Sequence, residues 1–396
     1  MKKILIADKV SKDLVASLEA LGAEVRLHPE LTTETLPEAI SDAEILIVRS
    51  TKITADTISV AKHLGLIVRA GAGVNTINLE ASSGKGIYVT NCPGMNTDAV
   101  AELAIGLLIS ADRGIADATQ AMRNGKWQKG RFGKARGLKG RTLGIVGTGQ
   151  IGMAVVKRAK ALDMKIIAWS RNLSQEKADS MGIGYAATLT ELAAKSDAVS
   201  VHIAAAKDTK NLISDEFFQA MKSGAIFLNT SRGEVVDMTA LVQAIKGKNL
   251  RVGLDVFEGE PEGSDVPFEQ IELAAKTVCT PHIGASTEQA EEAIASEVLH
   301  IVRQYIQTGQ PLNAVNLRKS SEKRPYLTIR HYNHVGVLAS VLHMLRDERI
   351  NVEEMQNTIF KTNEAACCCL TLDKIPSENT LQRLADDHNI LEVSIA

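Results

Sequence analysis

TLGIVGTGQIGMAVVKRAKALDMKIIAWSR, residues 142–171, decides the fold. Residues 143–146 form a short apolar run suited to a buried strand, and Gly147, Gly149 and Gly152 follow it directly. Residues 153–162 then repeat apolar side chains at helical spacing, and 164–169 is a second apolar run. A strand, a glycine-rich turn, a helix and a strand are the context in which G-x-G-x-x-G reads as a dinucleotide site. Each glycine has its own task there. Gly147 permits the tight turn, Gly149 lets the backbone approach a pyrophosphate, and Gly152 lets helix and strand pack closely. The helix start adds unpaired N–H groups and partial positive charge, which suit two phosphates.

The remaining chain is too long for one core. Its 396 residues predict two or three domains, and a formal charge of −2 points away from nucleic acid and membrane surfaces. Cys92, Cys279 and the run Cys367-Cys368-Cys369 make an odd count without C-x-x-C spacing. Neither a disulfide framework nor a metal site is expected, and a reducing compartment fits. Lys2 and Lys3 precede an apolar stretch that Asp8 and Lys9 cut too early for a signal peptide, so the expected location is the cytoplasm.

Before the glycine motif, strand patterns at 3–7, 24–27, 45–48 and 66–69 alternate with helical ones, the signature of a parallel α/β sheet. Ligands gather beyond the carboxyl ends of such strands, where Arg49 and Arg69 fall. A lone arginine there would ordinarily be solvated; two at matching positions, one beside Gly71-Ala72-Gly73, suggest an anion site. The basic segment 123–139 reads as loop. After the motif, strands at 198–203, 225–229, 251–256 and 277–280 continue a second doubly wound unit, and 286–308 forms one long helix pattern. These patterns divide the chain into a discontinuous, flavodoxin-like substrate-binding domain, 1–95 and 288–320, and a Rossmann domain, 96–287. After the polar linker 318–323, the order β-α-β-β-α-β makes 321–396 a separate ferredoxin-like α+β domain.

Reducing a ketone by hydride transfer needs a cation to hold a carboxylate and polarise the carbonyl, and a proton donor near the nascent alkoxide. Arg232, Glu260 and His282 supply a planar cation, a supporting carboxylate and an imidazole. Singly each would be unremarked, since the chain has nine histidines.

Their surroundings, SRG at 231–233, DVFEGEP at 255–261 and PHIGAST at 281–287, resemble the signature stretches of the D-isomer-specific 2-hydroxyacid dehydrogenases. VRSTKIT (48–54), RAGAGVN (69–75) and the small C-terminal domain are similar to the branch that oxidises 3-phosphoglycerate in serine synthesis. The resemblance implies a homo-oligomer in which Arg232 binds the substrate carboxylate and keto oxygen, His282 is the acid–base and Glu260 tunes it. It places Ala72 and Gly73 on the carboxylate, and Arg49 and Arg69 on the phosphate. It assigns Gly147, Gly149, Gln150, Ile151, Gly152, Ser170, Arg171, Thr230, Ser231, Asp255, Gly284 and Ala285 to the cofactor. The C-terminal domain is similar to an ACT domain, in which His331, Asn333 and Asn351 stand where serine-inhibited members hold the effector. His334-Val335 replaces the usual Arg-Pro there.

Two departures from the family pattern stand out. The interval from Arg232 to Glu260 is 28 residues (260 − 232), one shorter than usual, which leaves Glu258 as a rival carboxylate. The second strand of the motif ends in Ser170-Arg171, where NAD-specific sites carry Asp or Glu. The family implies NAD, while an arginine there suits the 2′-phosphate of NADP. Two other functions share the scaffold. A glyoxylate or hydroxypyruvate reductase would use the same three residues without a phosphate site. A nicotinamide-sensing corepressor would need no general acid, which the complete set argues against.

Overall fold

The computed structural model describes residues 1–261, 266–318 and 324–396, which form two compact units, Met1–Leu317 and Arg318–Ala396. Most of the 318–323 linker lies outside the described residues.

The first unit contains two parallel sheets. One joins β1 (Lys3–Ile6), β2 (Glu24–Leu27), β3 (Ile45–Val48), β4 (Leu66–Arg69) and β5 (Tyr88–Asn91) in the order β2-β1-β3-β4-β5. β3 is buried along its whole length, which explains its unbroken apolar ILIV. The long helix Glu288–Thr308 covers one face of this sheet, setting Ile294, Val298, Ile301 and Val302 against Ile4, Ile6, Ile45 and Val68. Thr287 caps its start through the Ala290 amide. Beyond it the chain returns to β5: Val315 N donates to Val89 O (2.8 Å), and the Asn316 side chain bonds Val89 N and Ile87 O.

The second sheet joins β6 (Thr142–Val146), β7 (Lys165–Trp169), β8 (Gly184–Tyr185), β9 (Ala198–Val201), β10 (Ile226–Asn229), β11 (Arg251–Leu254) and β12 (Val278–Cys279). Its order, β12-β11-β10-β9-β6-β7-β8, reverses direction between β6 and β9, and that switch point opens the crevice where such sheets bind ligands. The helix Thr97–Arg113 packs Ala104, Leu107 and Leu108 onto this sheet. The two-residue β8 escapes detection in the sequence because it is too short for a period. The segment read as loop, 123–139, contains one helical turn, Lys129–Phe132. It is anchored where no pattern predicts: the Gly137 amide and Arg141 both bond the buried carboxylate of Asp112.

The second unit is a four-stranded antiparallel sheet of β13 (Tyr326–Tyr332), β14 (Val352–Ile359), β15 (Ala365–Leu372) and β16 (Ile390–Ile395), ordered β14-β15-β13-β16. Helices Val337–Asp347 and Glu378–Ala385 complete a core of Leu327, Ile329, Val341, Leu345, Cys368 and Leu370. β14 ends at Ile359 because Phe360 N pairs with Ala365 O and the chain turns through Asn363 at φ 63°. Cys368 is buried while Cys367 and Cys369 face the other side of β15, the alternation of a half-covered strand.

Candidate active site

The glycine turn is built as its sequence demands. A Cβ on Gly147, which sits at φ 98°, would lie 2.4 Å from the His202 carbonyl oxygen, and one on Gly152 would lie 2.0 Å from that of Gly147. Both contacts exclude any side chain. Gly149 meets nothing, which leaves its approach open. The helix Gln150–Ala161 starts there with neither a side-chain cap nor an acidic residue in its first turn, so its leading amides remain for an anion.

Alongside lies a cavity of about 150 Å³, lined by Gly147–Gly149, Trp169–Arg171, His202–Ala204, Thr209 and Leu212. Burial pushes the His202 imidazole down to about 4, so it stays neutral at working pH. Its Nε2 bonds Ser200 Oγ at 2.8 Å, but its Nδ1 and the Thr230 hydroxyl are buried without a partner. The unpartnered His202 Nδ1 beside an open anion-binding helix fits a dinucleotide. Ser170 and Arg171 line this cavity, Gln150 and Ile151 open the helix that follows Gly149, and Ser231 is committed to the Asn229 side chain through both its amide and its hydroxyl.

Asp255, expected at the cofactor, anchors the neighbouring loop. Its Oδ1 accepts from Thr280 Oγ1 (2.6 Å) and Ile283 N (2.9 Å), and its Oδ2 accepts from Gly284 N (2.8 Å). Both oxygens hold the loop that carries His282, and Gly284 and Ala285 follow in the same turn. Burial raises the Asp255 carboxyl above its ordinary value despite those three bonds. His282 itself sits at φ 52°, a conformation non-glycine residues rarely adopt, and its amide is fixed by Asp255 O at 2.8 Å.

His282 Nδ1 lies 2.6 Å from Glu260 Oε2, while Glu260 Oε1 accepts from Phe257 N at 2.9 Å. Glu260 is therefore the carboxylate on the histidine; the Glu258 carbonyl instead takes the Gln270 side chain. Burial pushes Glu260 upward, but the His282 bond, the Phe257 amide and the nearby Arg232 charge hold it below the ordinary carboxylate range.

Arg232 is held by Asn229, whose amide group donates to Arg232 O at 2.8 Å. Its guanidinium lies against Gly73, where a Cβ would come 2.4 Å from Nη2. Asn91 bonds Ala72 O and fixes this loop from β5. Arg69 lies alongside: burial foremost, then the charges of Arg232 and Arg49, lower it to about 10. Its Nε is buried without a partner. Arg49 contributes to that field but pairs with Glu291 on the long helix at 3.0 Å. Asp8, whose role no local pattern signals, holds the Arg49 loop by accepting from the amides of Arg49, Ser50 and Thr51.

The expected effector residues do not converge within one chain. His331 is buried on β13, bonding Asn357 Oδ1 at 3.2 Å, and Asn333 donates to Asn363 O at 3.0 Å. His331 pairs with Ala366, whereas Asn351 immediately precedes Val352, which pairs with Leu372. Six residues of β15 (372 − 366) put about 20 Å between the two ends.

A switch-point crevice with a glycine cradle, in the same unit as an imidazole–carboxylate pair and clustered arginines on loops after the sheet strands, defines a dinucleotide-dependent dehydrogenase. Residues 105–284 match the family model described as D-isomer specific 2-hydroxyacid dehydrogenase, NAD binding domain. The chain belongs to this family and is an NAD-dependent oxidoreductase acting on CH–OH groups. It is 38% identical to D-3-phosphoglycerate dehydrogenase of Methanocaldococcus jannaschii over 362 residues, 90% of this chain and 67% of that protein. It thus spans about two thirds of the length of that relative. It is 39% identical to hydroxypyruvate reductase of Thermotoga maritima over 294 residues, 74% of this chain and 93% of that one. Among solved structures, the NAD⁺-bound 3-phosphoglycerate dehydrogenase of Entamoeba histolytica matches with a TM-score of 0.67 at 28% identity, covering 80% of this chain and 99% of that one.

Proposed function

We propose that this protein oxidises 3-phosphoglycerate to 3-phosphohydroxypyruvate in serine biosynthesis. The observation that carries the reading is Arg69: a half-buried arginine lowered to about 10, its Nε buried and unpartnered, held beside Arg232. Two like charges in a cleft are costly without an anion between them, and a doubly anionic substrate relieves both.

In this mechanism Arg232 and the Ala72-Gly73 backbone bind the substrate carboxylate, and Arg69, with Arg49, takes the phosphate. Because Glu260 holds His282 Nδ1–H, Nε2 is left to accept the hydroxyl proton during oxidation and return it during reduction. Glu260 stabilises the imidazolium formed in that step. NAD would supply the acceptor for the hydride that leaves C2. Gly147, Gly149, Gly152 and the leading amides of Gln150 and Ile151 would hold its pyrophosphate, with Thr230 nearby. The segments 1–95 and 288–320 act as the substrate-binding part, 96–287 as the cofactor-binding part, and 321–396 as a regulatory ACT domain.

The test is initial-rate kinetics with 3-phosphoglycerate and glycerate, and with phosphohydroxypyruvate, hydroxypyruvate and glyoxylate. A kcat/KM no better for the phosphorylated acids would overturn the assignment. It would favour the second reading, a hydroxypyruvate or glyoxylate reductase, which the engagement of Arg49 by Glu291 supports.

Serine feedback is the regulatory part of the proposal. Since His331 and Asn351 lie at opposite ends of one sheet, the effector site needs two copies of the domain, in keeping with a homo-oligomer working in the cytoplasm. If serine neither slows turnover nor gives heat in a calorimetric titration, the ACT domain serves assembly alone.

A further inference from the structure

The end of β7 lacks the carboxylate expected of an NAD site, yet a carboxylate is present there. It comes from a different loop: Asp208, in the segment after β9, makes an ion pair with Arg171 at the edge of the cavity beside the glycine turn. The Asp208 backbone is not adrift. Its neighbour Thr209 is buried, and the Thr209 hydroxyl accepts from Ala206 N at 2.7 Å and reaches Ala204 O at 2.8 Å, closing residues 204–209 into a fixed turn. Thr209 also lines the cavity. Lys207 and Lys210 flank Asp208 on the exposed side of the same turn.

We propose that the Arg171–Asp208 pair is the cofactor-selecting element of this dehydrogenase. Asp208 occupies the guanidinium that a 2′-phosphate would otherwise use. It also sets one negative charge among Arg171, Lys207 and Lys210, a trio that would attract that phosphate. A 2′-hydroxyl has no quarrel with the pair, whereas a 2′-phosphate carrying nearly two charges must displace the carboxylate and remain beside it. Preference for NAD is thereby set by a residue 37 positions from the usual one (208 − 171). Both partners are exposed, and exposed ion pairs are weak, so the selection is modest and one substitution reverses it. The proposal rests on the cavity being the adenosine half of the dinucleotide site.

The test compares Asp208→Asn, Arg171→Gln and the double variant in the full-length protein. The probes are 5′-AMP and 2′,5′-ADP, followed through the fluorescence of Trp169, which lines the cavity, and by calorimetry. Steady-state rates with NAD and NADP accompany them. Asp208→Asn should tighten 2′,5′-ADP about five- to tenfold and raise kcat/KM for NADP in parallel, with 5′-AMP changed less than about twofold. That gain should vanish in the double variant and shrink as salt rises. An unchanged ratio of the two affinities, or a gain that survives loss of Arg171, overturns the proposal. Weaker binding of 5′-AMP in Asp208→Asn also overturns it, and makes Asp208 an acceptor for the ribose. If wild-type protein binds neither nucleotide, the placement of the adenosine site falls with it; binding of both, with no response to Asp208, sinks only the selection mechanism.

Discussion

Glu260 Oε2 stands 2.6 Å from His282 Nδ1, although the two residues are 22 positions apart and belong to different loops. The contact fixes the tautomer: Nδ1 carries the proton toward the carboxylate, and Nε2 is left for the reaction. Replacing Glu260 with Gln should lower kcat by about 10²-fold, within the range for disabling acid–base catalysis, with little change in nucleotide affinity. Glu260 is held below its ordinary value, so the pair's contribution to stability is present above that ordinary value, 4.5, and disappears as pH falls through the lower folded one. An unchanged kcat would remove Glu260 from its supporting role.

Arg69 separates the phosphorylated from the unphosphorylated substrate. Arg69→Met should raise KM for 3-phosphoglycerate about 10- to 100-fold, the worth of a charged hydrogen-bonded contact, and leave glycerate unaffected. Because the change also removes a like charge beside Arg232, thermal stability without substrate should hold steady or rise. Equal loss with both substrates would show that Arg69 supports the cleft rather than the phosphate.

Asp255 is a positioning residue. In Asp255→Asn an NH₂ group would confront one of the amides of Ile283 and Gly284 that now donate to it. The predicted cost is about 1–3 kcal/mol at neutral pH, measured by denaturant unfolding. The raised carboxyl works in the opposite sense: its contribution to stability is fully present below the unfolded value, 3.8, and is lost as pH rises through the higher folded one, so the cost of the Asn variant comes from the lost acceptor geometry. A lower kcat with unaltered 5′-AMP binding should accompany the change, because the loop it holds carries His282. Wild-type stability together with wild-type kcat would refute the role.

Two glycines of one motif should respond in opposite ways. Gly152→Ala sets a Cβ against the Gly147 carbonyl and should cost about 1–3 kcal/mol of stability. Gly149→Ala meets no neighbouring atom, so it should fold normally and lose nucleotide affinity instead. Equal loss of stability in both variants would contradict the division of tasks between them.

What the sequence made legible was whatever repeats locally or carries a close-packed motif. The run at 142–171 displayed strand, turn and helix because period and glycine spacing are local properties. Arg232, Glu260 and His282 were visible through the motifs around them. Asp8, Asn91 and Asn229 were not, since their work is to accept or donate backbone bonds on loops that only the folded sheet brings near. Asp208 was hidden for the same reason: its partner lies across the switch point. The split between His331 and Asn351 follows from strand register, which spacing along the chain does not encode.

The return of residues 288–316 to the first sheet has a consequence for synthesis. β1, β3 and β4 leave the ribosome early, but the helix that seals Ile4, Ile6 and Val68 follows about 200 residues after β5 (288 − 91). At roughly 5–20 residues per second, that apolar face waits about 10–40 s for its cover. During that interval the helix Lys12–Glu19 covers part of that face through Leu14 and Leu18, and the remainder is the surface on which chaperone capture or misassociation would begin.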